Sequence, residues 1–109
     1  AFYELQPGKS AHPYHYHSGR EELYYILEGS GLLRTPEGEK DVREGDLLYF
    51  PASSTGAHRL INNTHRPLRY LDIETIPPGD VVFFPDSQKL DNQGTIQFLG
   101  KKATYYEGE

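Results

Sequence analysis

His15 and His17 stand one residue apart, Glu22 follows shortly after, and a further histidine, His58, lies in a separate motif downstream. On a β-strand, side chains at i and i+2 share a face about 6–7 Å apart, so both imidazoles can address one ion between them while Tyr16 points the other way. Ser18-Gly19 reads as a turn, after which Glu22 opens the next strand and brings a carboxylate oxygen beside two ring nitrogens. Nitrogen and oxygen donors without a thiolate form an open set that suits one divalent transition metal per chain, with Mn, Fe, Ni and Zn as candidates. Such a site leaves room for a small molecule that offers two neighbouring oxygens. The plainer alternative is a solvated His-x-His on a surface strand, or the remnant of a purification tag, although Pro13, Tyr14 and Tyr16 interrupt the histidines here.

The elements that would position these groups are all β. Short alternating or apolar runs, punctuated by Gly and Pro, predict strands over Phe2 to Leu5, Tyr14 to His17, Glu22 to Glu28, Gly31 to Thr35, Lys40 to Arg43, Leu47 to Phe50, His58 to Asn62 and Leu68 to Thr75. Thr35-Pro36-Glu37-Gly38-Glu39 predicts a hairpin turn, and nothing has helical periodicity. Strands at this spacing predict a sandwich or small barrel. Beyond Thr75 the chain changes character. Pro77-Pro78-Gly79-Asp80 is a break, Val81 to Pro85 a short apolar run, Ser87 to Gly94 a polar loop, and Thr95 to Leu99 alternates again before Tyr105-Tyr106.

Composition narrows the partners. At 109 residues the chain can bury one modest core. A net charge of −5 and the lack of a basic stripe exclude nucleic acid and anionic membranes as expected partners. The absence of cysteine, of a long apolar run and of a signal peptide reads as a cytoplasmic protein.

Two blocks carry a resemblance. His15-x-His17, Glu22 and Gly29 form the first; Gly45, Pro51, His58 and Asn62 form the second. In this order they resemble the two motifs of the cupin superfamily, over roughly residues 8 to 75, although Ser53 stands where the family has a glycine and the loop before His58 is longer. The Phe84-Pro85-Asp86 tail resembles a group of small single-domain bacterial cupins of unassigned activity. The resemblance implies an all-β double-stranded β-helix, a cupin or jelly-roll β-barrel, with His15, His17, Glu22 and His58 as metal ligands. It implies a barrel core over residues 1–75, with 76–109 an extension that completes the same domain and supplies the contact of a homodimer. It further implies a metal-dependent enzyme acting on a small oxygen-rich substrate, an organic acid or sugar-like molecule, by decarboxylation, isomerisation or dioxygenation. A non-catalytic small-molecule binding barrel and a vestigial barrel are the alternatives, since fold analogy does not choose a reaction.

If Glu22 faces inward, alternation carries Tyr24 and Ile26 with it, and His58 carries Leu60 and Asn62. Tyr24 and an arginine at the mouth, Arg34 foremost, are the candidates for orienting a substrate, while Arg59 should face away from His58. Tyr49 and Phe50 are expected in an aromatic wall. His12 and His65 are expected at the surface, away from the pocket.

Overall fold

The computed structural model describes residues 1–92, 94–98 and 101–102. In chain order the strands are β1 (Phe2–Leu5), β2 (Tyr16–His17), β3 (Glu22–Glu28), β4 (Ser30–Thr35), β5 (Gly38–Arg43), β6 (Leu47–Phe50), β7 (Arg59–Ile61), β8 (Leu68–Glu74), β9 (Val81–Phe84), β10 (Lys89–Asn92), β11 (Thr95–Phe98) and β12 (Lys101–Lys102). One 3-10 turn, Ser54–Gly56, interrupts them. They build three antiparallel sheets, ordered β1-β8-β3-β6, β5-β4-β7 and β12-β11-β10-β9-β2, so the protein is all-β as its strand spacing predicts, and has the double-stranded β-helix that the resemblance implies. No helix among the described residues is long and apolar enough to cross a membrane.

Period-two patterning decides which side chains enter the barrel. Along β3, Glu22, Tyr24 and Ile26 are buried while Leu23 and Tyr25 face outward. Its neighbour β8 pairs Tyr24 with Asp72 and Glu22 with Glu74, so those two acidic residues share the inner face. Ile26, Leu33, Leu60 and Leu68 are almost wholly buried. Each contributes about 1.5–3 kcal/mol relative to exposure, which outweighs the cost of bringing polar groups to one end of the same interior. The predicted hairpin forms as β4–β5, with Thr35 opposite Gly38.

Asn62 is 0 % exposed and acts as a pin rather than a pocket wall. Its amide donates to the carbonyls of Leu5 and Arg66, and its oxygen accepts from the Thr64 backbone and hydroxyl. Buried amides need all of these partners to offset desolvation.

Some expectations shift. The Tyr14 to His17 strand shortens to β2, and His15 instead makes an isolated bridge with His58. The bridge is reciprocal: His15 N donates to His58 O at 3.2 Å, and His58 N to His15 O at 2.9 Å. The expected polar loop over Ser87 to Gly94 contains β10, because its backbone pairs with β9 and β11 whatever its side chains. Tyr49 is 58 % exposed and its hydroxyl donates to Glu21 outside the barrel, since alternation along β6 sends Leu48 and Phe50 inward. Leu99 and Tyr105-Tyr106 lie outside the described residues.

Candidate metal centre

Three elements bring the histidines to one point. His15 and His17 come from the segment entering and forming β2, and His58 from the residue before β7. Their Nε2 atoms lie 3.6, 3.1 and 3.3 Å from the same Glu22 oxygen, Oε1. Among the described residues His15, His17 and Glu22 form one group of possible ligand atoms all within 4.8 Å of one another, and Glu22, Asp72 and Glu74 form a second. His58 addresses the same oxygen and also meets the Tyr24 hydroxyl at 3.1 Å. Phe50 stacks on the His58 ring, with centroids 3.6 Å apart, and fixes its plane.

The other ring nitrogens fix the tautomers. His15 Nδ1 meets Pro13 O at 2.8 Å and His58 Nδ1 meets Gly56 O at 2.8 Å; a carbonyl only accepts, so both Nδ1 atoms carry hydrogen. His17 Nδ1 donates to Asp80 Oδ2 at 2.7 Å. Each neutral ring therefore presents an Nε2 lone pair to the centre, the tautomer a metal ligand requires. Glu22 Oε1 is buried there without a hydrogen-bond partner. Lone pairs facing a partnerless carboxylate oxygen are what a bound cation would relieve, so the donor set fits a divalent metal.

Burial alone would raise Glu22; in the absence of an ion, N–H donation from the surrounding imidazoles would instead hold it well below the usual carboxylate range. Burial lowers His58 despite the opposing pull of Glu22, keeping the ring neutral. His17 is desolvated too, yet the Glu22 and Asp80 carboxylates outweigh this and raise it. Asp80 is pulled down against its own burial by the Gly19 N–H and by His17.

A cavity of about 260 Å³ opens beside the cluster, lined in part by Tyr3, Arg20, Asp72, Glu74 and Phe84. Asp72 is 8 % exposed and its Oδ1 has no partner. Burial and the charges of Glu22 and Glu74 push its carboxyl up to about 7. Arg20 Nη1 donates to Glu74 Oε1 at 3.0 Å.

The structure thus gathers His15, His17, Glu22, His58 and Tyr24, and leaves Arg34 elsewhere. Arg34 makes a two-pronged bond with Asp86, at 2.6 and 2.9 Å, and lies over the Tyr14 ring. Arg59 bonds Ser10, and His65 is exposed. His12 corrects the expectation: although solvent reaches it, it lines the cavity mouth, its ring 5.4 Å from that of His15. Three residues from His15, His12 falls off the alternation of the ligand face, but alternation does not govern residue 12, since regular pairing begins only at Tyr16. Asp72 and Glu74 were legible by alternation from Leu68 along β8, but Asp80, beyond the Pro-Pro-Gly break, carried no signal.

Comparison with known proteins agrees with this geometry. A glucose-6-phosphate isomerase from Thermococcus litoralis is 39 % identical over 87 residues, which cover 69 % of this chain but 45 % of the relative. The chain thus spans less than half the length of the curated relatives of that kind. Among solved structures, a sugar phosphate isomerase of the cupin superfamily from Silicibacter pomeroyi superposes with a TM-score of 0.79 at 27 % identity, over 99 % of this chain and 67 % of its own. A putative sugar phosphate isomerase from Acidithiobacillus ferrooxidans gives 0.83 at 28 % identity, over 94 % and 68 %. The cupin-domain family model matches residues 1–74, which contain both histidine motifs and the buried glutamate, and the chain is therefore a member of the cupin family.

Proposed function

We propose that this barrel is a metal-dependent isomerase that interconverts the aldose and ketose forms of a small sugar or sugar ester, with His15, His17, Glu22 and His58 holding one divalent ion of the Mn, Fe, Ni or Zn kind. The observation that carries the reading is the convergence of three Nε2 lone pairs on a buried, partnerless Glu22 oxygen beside a cavity that contains a second partnerless carboxylate oxygen, on Asp72. The isomerase names of the relatives that share most of this chain favour isomerisation over decarboxylation or dioxygenation.

A bound ion would supply Lewis acidity toward two neighbouring substrate oxygens. The remaining chemistry belongs to the chain. Moving hydrogen between adjacent carbons requires a group that takes and returns a proton within the cavity, and in this reading that group is Asp72, a lining carboxyl with a buried, partnerless Oδ1. Arg20 holds Glu74 beside it, and Tyr24 fixes the His58 edge through its hydroxyl. Tyr3 and Phe84 give the cavity apolar walls against which the carbon face of a sugar packs.

The test is turnover of aldoses and their esters by the metal-loaded full chain, read as the appearance of the ketose by NMR. Activity that disappears with a chelator, returns with metal and falls at least about 100-fold in Asp72→Asn supports the reading. Saturable ligand binding without product would favour the binding-barrel alternative. A homodimer in which residues 76–109 form the contact is part of the proposal, and sedimentation showing only monomer at micromolar concentration would refute it.

A further inference from the structure

The charges around the cavity bear on which sugars it admits. Four carboxylates line it, those of Glu22, Asp72, Glu74 and Asp91. Among the described residues, Arg20 is the one lining side chain with a permanent positive charge, and that charge lies between two carboxylates: Nη1 bonds Glu74 at 3.0 Å and Nε is 3.8 Å from Asp80. The backbone N–H groups of Gly19 and Arg20, which would otherwise suit an anion, both donate to Asp80 Oδ1, at 2.9 and 3.0 Å. A divalent ion and Arg20 together do not leave this wall positive. A phosphate ester is bound through guanidinium forks, ammonium groups or unengaged backbone N–H groups; among the described residues the wall's one guanidinium lies against two carboxylates, with its partnerless Nε buried away from a ligand.

Asp72 points to what would fit instead. The residue is more than nine-tenths buried and lines the cavity, and its Oδ1 is buried there without a donor. A buried acceptor of this kind is satisfied by a hydroxyl, and a polyol brings several. The volume, about 260 Å³, is of monosaccharide rather than drug size.

We propose that the cavity selects an uncharged, hydroxyl-rich ligand of monosaccharide size and discriminates against the corresponding phosphate ester. This rests on the isomerase reading for the identity of the site, and it separates the chain from the phosphorylated sugars in its relatives' names. The carboxylates accept the sugar's hydroxyls, while the same charges repel a phosphate dianion held well inside one screening length. Releasing Arg20 from Glu74 should relax the discrimination.

The experiment is calorimetric titration of the Mn²⁺-loaded full chain with a panel of free hexoses and pentoses and with the phosphate ester of each, alongside NMR detection of interconversion. At least one free sugar should bind about tenfold or more tighter than its ester, and Glu74→Gln should narrow that gap several-fold by strengthening ester binding. An ester that binds as tightly as its free sugar in the wild-type chain, or a panel in which no free sugar binds, overturns the proposal. A free sugar that binds tightly without interconversion leaves the selectivity standing and sinks the isomerase reading. Interconversion confined to esters does the reverse.

Discussion

Replacing Asp80 by Asn tests whether the extension beyond the first barrel segment sets the chemistry of the candidate metal centre. Asp80 Oδ1 accepts from the backbone of Gly19 and Arg20, and Oδ2 accepts from His17 Nδ1 at 2.7 Å. Asn is nearly the same shape, and its oxygen can keep both backbone bonds. Its amide nitrogen then faces His17 Nδ1, donor against donor, and the ring relieves the conflict by moving its hydrogen to Nε2. That removes the lone pair directed at Glu22. Outer-shell changes of this kind cost 10–100-fold in metal affinity. The corresponding loss is about 1.4–2.7 kcal/mol of binding free energy. Folding stability should fall by only about 1 kcal/mol, because the backbone bonds survive as neutral ones. Zn²⁺ titration calorimetry and thermal unfolding of the apoprotein, run on the same preparation, separate the two effects. Asp80→Asn that binds Zn²⁺ within threefold of wild type would refute the tautomer argument. An apoprotein that loses most of its stability would show that Asp80 acts mainly as a fold pin.

Ser53→Gly should stabilise the protein by about 1 kcal/mol in urea unfolding: Ser53 has φ of +107° and ψ of 173°, a region that is strained for any side chain, and relief of that strain exceeds glycine's greater unfolded-state entropy. Gly56→Ala should destabilise by about 2–3 kcal/mol in the same assay, since a Cβ there would sit 1.8 Å from the Pro51 carbonyl oxygen. The shift would also move the carbonyl that orients His58, so Zn²⁺ affinity should drop with it. Arg34 holds the Asp86 carboxyl below its usual range, so the pair's contribution is fully present above the unfolded carboxylate pKa and is lost as pH falls from there through the depressed folded value. Thermal melts of wild type and Asp86→Asn should therefore begin to converge as pH falls below about 5 and continue to do so through the depressed folded value, and a constant gap would contradict this.

What the sequence discloses and what it withholds follow one physical line. The inward set of β3, the hairpin at Thr35 to Gly38 and the proximity of His15, His17 and Glu22 rest on alternation and turn chemistry over a few residues, so they are readable locally. Asp72 and Glu74 belong to the same local grammar, because Leu68 and Tyr70 set the parity of β8. Asp80 does not. Its place beside His17 depends on β9 pairing with β2 across most of the chain, and no local pattern announces that register. β10 was hidden for a related reason: Lys89 to Asn92 has a loop's composition, and only its neighbours make it a strand. Arg34 illustrates the converse, a charged group near the barrel whose partner, Asp86, comes from the same long-range docking.

The reciprocal bridge between His15 and His58 gives the centre its folding character. Two donors far apart in sequence are fastened by their own main chains, so the entropy of closing the intervening loop is met by backbone pairing before any ion arrives. A zinc finger, by contrast, spends binding energy on its own folding. Here little ordering remains for the ion to impose. Uptake should be fast, loss of metal should leave the barrel standing, and exchange of one ion for another should proceed without passage through the unfolded chain.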